Sequence, residues 1–325
     1  MEISEPTSAP VGGNDLFLTA PFRGKNAFWR YFIGAIIPFI ASNLIGAIPL
    51  VVVMIVASDG DMTATKGGMP DFAAMGVDLN FGFFLSVFPF VLAFLAFVYM
   101  VKPLHERSVR SVINGGRNIR WGRIFVSAGV WTLISACYLW LAIKTDSDNF
   151  TLINSSRSLL ILAGLAILLI PFQAGFEELL FRGYLMQGFA VLARNRWLPI
   201  VATSVLFGLM HSLNPEVKEY GFLTMMPQYI FMGLIFAIPA VIDDGIEIAI
   251  GAHVANNIFL SVFLTTSDSA LQTQAMYQQI NIYPWKDFGG LVIMAAIYLS
   301  AMALIYKWKD IRKLYARIYP APEVV

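Results

Sequence analysis

Eight stretches of this chain contain no Asp, Glu, Lys or Arg over at least 19 residues: Tyr31–Ser58, Leu79–Val101, Ile124–Ile143, Ser158–Phe176, Trp197–Pro215, Tyr220–Ile242, Ile248–Ser267 and Phe288–Tyr306. Roughly 20 apolar residues carry a helix across a bilayer. Backbone groups cannot remain unpaired in lipid, so such runs must be helical. Only 13% of the 325 residues are charged, against about 25% in soluble domains, and the mean hydropathy is +0.68. The expected fold is an all-α polytopic transmembrane bundle of about eight spans in a lipid bilayer.

Lysine and arginine orient the bundle. With the N-terminus inside, the cytoplasmic segments hold Arg23, Lys25 and Arg30; Lys102, Arg107, Arg110, Arg117, Arg120 and Arg123; Arg182, Arg194 and Arg196; and Lys307, Lys309, Arg312, Lys313 and Arg317. Only Lys66, Lys144, Arg157, Lys218 and Lys286 fall outside. Basic residues are retained on the cytoplasmic side, so the expected topology is N-in, C-in. Met1–Thr19 has no basic n-region and no apolar h-region, unlike a cleaved signal peptide. A net charge of +1 implies no nucleic-acid partner.

Residues 1–26, rich in Pro, Gly and Ser, read as a disordered lead. Residues 27–157 hold three spans, 158–267 a four-span core, and 268–325 a last span with a basic tail. Ser58–Asp78 reads as a polar outer loop, and Lys102–Arg123 as a segment on the inner membrane surface. Cys137, mid-run, reads as a buried thiol. His105, beside Glu106 in the basic segment, reads as a solvated histidine.

Charges at bilayer depth are costly and mark functional positions. The fourth run leads directly into Glu177-Glu178-Leu-Leu-Phe-Arg182, and the chain stays apolar until Arg194. Glu178 and Arg182 are an i,i+4 pair in the favourable order. Neighbouring helical residues point about 100° apart, which leaves Glu177 without a local counter-ion. Glu177 is therefore the catalytic candidate, with Glu178 and Arg182 as its structural support. His211 follows Phe207 by one turn in the fifth run. His253 precedes Asn257 by one turn in the seventh.

Peptide hydrolysis needs an activated water and donors for a tetrahedral oxyanion. Glu177 aided by His211 can deprotonate water, and His253 with Asn257 can meet the negative charge. A rival arrangement uses Glu177, His211 and His253 as ligands of a Zn²⁺ that activates the water. His-Glu-x-x-His is absent: the one His-Glu, His105-Glu106, has Val109 where the second histidine is needed. For Glu177 and His211 to meet, Gly183–Ala193 must be embedded, giving a long fourth helix bent near Pro171.

Glu-Glu-x-x-x-Arg at Glu177–Arg182, Phe-x-x-x-His at Phe207–His211 and His-x-x-x-Asn at His253–Asn257 resemble the CAAX protease and bacteriocin-processing (CPBP, or Abi) family, which includes the Ras-converting-enzyme type of prenyl-protein endopeptidase. The resemblance covers roughly Leu159–Leu264. It implies an intramembrane endopeptidase, glutamic or metallo, with a cavity among the core helices and a membrane-anchored protein or peptide as substrate. It also implies that Glu177 and His211 activate water while His253 and Asn257 stabilise the oxyanion. The competing functions are a scaffold or immunity protein without turnover, and a transporter with a Glu/His relay. The transporter would predict inverted repeats, and none is found. A bacterial inner (plasma) membrane is the expected location.

Overall fold

The computed structural model describes residues 15–57, 65–66, 69–155 and 157–318. Helix α1 (Phe28–Ile40) passes through a π-helical segment, Ala41–Gly46, into α2 (Ile48–Ala57). Short strands β1 (Thr65–Lys66) and β2 (Met69–Pro70) pair before α3 (Leu79–His105). Asp78 starts α3, its carboxylate accepting the Phe81 N–H at 3.0 Å. Then come α4 (Val109–Asn114), α5 (Trp121–Thr145), β3 (Phe150–Leu152) and α6 (Arg157–Glu178). Helix α6 winds through the π segment Leu179–Leu185 into α7 (Met186–Ala193). The chain continues with α8 (Trp197–Met210), α9 (Pro215–Tyr220), α10 (Phe222–Ile242), α11 (Glu247–Phe263), β4 (Leu264–Thr266), β5 (Tyr277–Gln279) and α12 (Pro284–Ile305).

The fold is an all-α membrane bundle, and each of the eight uncharged runs is built into a helix. Among the described residues six helices are long and apolar enough to cross a membrane: Phe28–Ala57, Leu79–His105, Trp121–Thr145, Arg157–Ala193, Phe222–Ile242 and Pro284–Ile305. Two runs give shorter apolar helices. Helix α8, with 14 residues, rises about 21 Å against a hydrocarbon core about 30 Å thick. It stops before Asn214-Pro215, where the residue before a proline is pushed out of the helical region. His211 is consequently the residue that ends α8 rather than one inside a span.

Helix α11 lies in the middle of the packing, against α5, α6 and α10. Gly251 permits its approach to α5, since a Cβ there would stand 2.2 Å from the Ile124 carbonyl oxygen. Helix α3 packs on α6 and α1, and α8 on α10 and α7. Outward-facing apolar side chains such as Leu160, Ile167, Leu168 and Leu304 are exposed, as a lipid-facing surface requires.

The connections gather at two ends. One end carries a small sheet, β5 pairing antiparallel with β3 and parallel with β4. The other is arginine-rich. There Arg120 and Arg123 pair with Asp243, Arg120 also with Glu247, and Arg117 with Asp244. Much of the basic segment expected on the membrane surface is thus tied to the turn between α10 and α11, and Arg107 is buried.

Three expectations are corrected. Residues 15–26 are folded, not a disordered lead: Phe17 and Leu18 are fully buried, and Asp15 pairs with Arg196 at 2.7 Å. His105 is fully buried, with Nδ1 2.6 Å from the Lys25 carbonyl and Nε2 2.6 Å from the Tyr184 hydroxyl. Cys137 is exposed on the outer side of α5. Residues 1–14 of the lead, residues 58–64 and 67–68 of the outer loop, and residues 319–325 of the tail lie outside the described residues.

The buried N-terminal segment carries a pH dependence. Burial, with the neighbouring Asp244 carboxylate, pushes the Asp15 carboxyl from 3.8 up to about 7, opposed by Arg196 and Lys313. Asp244, despite burial, is held below its ordinary value by Asp15, Lys313, the Phe17 N–H and Arg117. Between 3.8 and about 7 the folded chain keeps a proton on Asp15 that an unfolded chain has released. Stability from this contact therefore falls as the pH rises through that window. Asp244 acts in the opposite direction, and only below its ordinary 3.8. Hydrogen exchange of residues 15–23, corrected for intrinsic rates, should be faster at about pH 8 than at about pH 5.5, and Asp15→Asn should flatten the difference.

Candidate active site

The long helix Arg157–Ala193 is continuous and Leu179–Tyr184 are buried, although the contact of Glu177 with His211 that it was expected to serve is not made. Its irregularity is the π segment beginning directly after Glu178, eight residues beyond Pro171. A π turn inside an α-helix recurs at functional sites.

Glu178 is fully buried and accepts from two groups through Oε1: Arg182 Nη1 at 2.9 Å and His253 Nδ1 at 2.7 Å. Arg182 is itself fully buried, and its guanidinium stands 4.0 Å from the Phe207 ring centroid and 5.4 Å from that of Phe236. The expected ion pair is present, and Glu178 also orients His253. With Nδ1–H donated to Glu178, His253 turns Nε2 towards Glu177 Oε2, 3.7 Å away. Phe236 stacks on the His253 ring at 4.9 Å, and Phe207 meets its edge at 5.7 Å.

Glu177 is 8% exposed. Its Oε1 accepts from Gln173 Nε2 at 2.7 Å, and its buried Oε2 accepts no hydrogen bond. The two glutamates thus differ in partner, Glu178 pairing with Arg182 and Glu177 with Gln173. Asn257 Nδ2 donates to Gln173 Oε1 at 3.0 Å. Glu177, Glu178, Arg182, His253 and Asn257 therefore form one connected group through Gln173, a residue that the sequence motifs do not single out. A signal for it exists: Gln173 is one turn before Glu177, on the same helical face.

His211 joins this group only through rings. It lies 4.7 Å from the centroid of Phe207, a ring that also meets His253, and stacks on Tyr229 at 4.5 Å. Its Nδ1 is 2.8 Å from the Phe207 carbonyl oxygen, which can only accept, so Nδ1 donates there and Nε2 is left without that partner. No hydrogen bond or ion pair connects His211 to Glu177.

The described side chains do not assemble the three-ligand set of the zinc arrangement. Zinc needs its ligands converging at about 2 Å from one point. Among the described residues no three His, Cys, Asp or Glu side chains are grouped to hold a metal ion. In both imidazoles Nδ1 is engaged, that of His211 with the Phe207 carbonyl and that of His253 with Glu178, so any ligation would be through Nε2. A polar pocket of about 320 Å³ opens elsewhere, lined by Pro215, Lys218, Glu219, Ser267, Asp268, Ser269 and Gln272, none of them a member of the connected group.

Buried carboxylates, an imidazole and carboxamide donors converging from α6 and α11 can hold and move a proton beside a polarised carbonyl. Comparison with known proteins finds two similarities. Residues 156–259 match the family model described as type II CAAX prenyl endopeptidase Rce1-like. An uncharacterized protein of Bacillus subtilis (strain 168), YyaK, is 29% identical over 254 residues, covering 77% of this chain and 82% of its own. This relative agrees with placement in a bacterial membrane. No solved structure matches.

Proposed function

We propose that this chain, whose residues 156–259 match the family model described as type II CAAX prenyl endopeptidase Rce1-like, hydrolyses a peptide bond of a membrane-anchored protein or peptide, with Glu177 as general base. The observation that carries this reading is the buried Glu177 Oε2, without a hydrogen bond, facing His253 Nε2 at 3.7 Å. A water donating to Glu177 Oε2 attacks the scissile carbonyl, and its proton passes through Glu177 to the leaving amine. The oxyanion receives His253 Nε2–H and the second N–H of Asn257 Nδ2, which no acceptor among the described residues takes.

His211, with Nε2 available as an acceptor, orients the water or the peptide N–H from the α8 side. A second assignment has His253 rather than His211 share the water, and the direct contact of His253 with Glu177 favours it. Both imidazoles are tested with purified protein in proteoliposomes. The substrates are quenched fluorogenic peptides, each carrying a lipid anchor or one membrane-spanning segment, with prenylated CAAX peptides among them. His253→Gln should lower kcat about 10²–10³-fold, the range for an oxyanion donor. Undiminished cleavage by this variant would sink the assignment. A near wild-type rate in His211→Asn would give the water to His253. A zinc chelator should leave the rate unchanged, because the side chains do not form a three-ligand set.

A further inference from the structure

Four side-chain hydrogen bonds run in one direction from α5 to the catalytic carboxylate. Trp131 Nε1–H donates to Asn256 Oδ1 at 3.2 Å. Asn256 Nδ2 donates to Asn257 Oδ1 at 3.0 Å. Asn257 Nδ2 donates to Gln173 Oε1 at 3.0 Å, and Gln173 Nε2 to Glu177 Oε1 at 2.7 Å. We infer that Trp131 is a positioning residue of this site, its indole N–H setting the direction of the relay that holds Asn257 and Glu177 ready; the inference rests on the roles proposed above for those two residues.

Donors and acceptors decide the direction. Carboxamides can face either way, so three in a row have two self-consistent orientations. An indole N–H can only donate. It therefore fixes Asn256 Oδ1 towards α5, and each following amide must turn its oxygen back and its nitrogen forward. The far end agrees, since an ionised carboxylate only accepts. Both ends select the same direction, independently of how any single amide is assigned. Reversed, Asn257 would turn its oxygen to Gln173 and lose the N–H aimed at the oxyanion, and Gln173 would set its oxygen against the Glu177 carboxylate.

The relay also divides the work of Glu177. Oε1 is held by Gln173, which leaves Oε2 for the reacting proton. Hydrogen bonds in such chains polarise one another, by about 10–30% per bond. Trp131 cannot turn away from Asn256, because its ring is fully buried, with Tyr298 edge-on at 5.0 Å and Phe236 at 6.3 Å. It lies outside residues 156–259, so a reading confined to that segment omits it.

An isosteric replacement separates the N–H from the ring. A benzothienyl analogue of tryptophan, with sulfur in place of the N–H, is introduced at position 131 of the full-length protein in proteoliposomes. With a fluorogenic peptide that the wild type cleaves, kcat should fall roughly tenfold, the kinetic equivalent of one neutral hydrogen bond. KM and the thermal midpoint should not move. Asn256→Asp, which keeps the acceptor for Trp131 but cannot donate onward, should lose at least as much, and adding the analogue should cost little more. Wild-type kcat in the analogue protein overturns the proposal.

A substrate-free readout accompanies the kinetics. The chain has seven tryptophans, so its indole N–H resonances are few, and Trp131→Phe identifies the one concerned. Gln173→Leu should shift that resonance and leave the other six in place. No shift would overturn the relay by itself. Full cleavage by Glu177→Gln, with the shift present, would instead refute the protease roles while leaving the relay standing.

Discussion

Glu177→Gln is expected to lower kcat for any cleaved peptide about 10³–10⁴-fold, with KM nearly unchanged and the fold intact. The substitution keeps the volume and the carbonyl oxygen that accepts from Gln173 Nε2. It replaces the one carboxylate oxygen of this residue that is buried without a hydrogen bond, and with it the capacity to take a proton from water. General-base catalysis by a positioned side chain contributes typically about 10²–10⁴-fold. Loss of the proton's onward route to the leaving amine places this variant at the upper end. The measurement is single-turnover cleavage in proteoliposomes alongside thermal unfolding of the same preparation. Wild-type turnover with an unchanged midpoint would exclude Glu177 as the base. Glu178→Gln should behave differently, because Glu178 is the partner of Arg182 and of His253 Nδ1. Its loss should lower the midpoint as well as the rate.

That contrast between adjacent glutamates was legible in the sequence, because a helix turns about 100° per residue and Arg182 stands one turn from Glu178 alone. The long helix Arg157–Ala193 was legible for a similar reason: no lipid-compatible break separates Phe176 from Arg194. What escaped was set by tertiary contact. Trp131 and Asn256 are 125 residues apart, and nothing local to α5 marks that indole. His105 was misjudged from the charges beside it, although Tyr184 and the Lys25 carbonyl enclose it. Phe17 and Leu18 were overlooked among Pro, Gly and Ser, whose abundance in a short segment outweighs two apolar anchors in any reading by composition. Cys137 shows a further limit. A run that is apolar on every side has little periodic moment, so the face turned to lipid cannot be told from the face turned to helices. The two short helices α8 and α11 have the same origin, since charge-free runs set an upper bound on helix length and not the helix itself.

Arg182→Met is expected to be the most destabilising single change in the site, at about 3–5 kcal/mol. Arg182 and Glu178 are both fully buried and 2.9 Å apart. Removing the guanidinium leaves a carboxylate beside Phe207 and Phe236, rings that suit a cation, with His253 as its remaining donor. Desolvation of an unpaired charge is what makes breaking a buried pair costly, whereas replacing both members by apolar groups is often nearly neutral. The double variant Glu178→Leu/Arg182→Met should therefore recover much of the stability lost by Arg182→Met alone. It should recover none of the activity, because His253 then lacks the acceptor that directs Nε2 to Glu177. Thermal unfolding in detergent gives the first comparison and peptide cleavage the second. A double variant no more stable than the single one would show that the guanidinium acts mainly by packing against the phenyl rings. Recovery of stability together with activity would show that Glu178 does not orient His253, and the imidazole would then owe its position to the stacking of Phe236 at 4.9 Å.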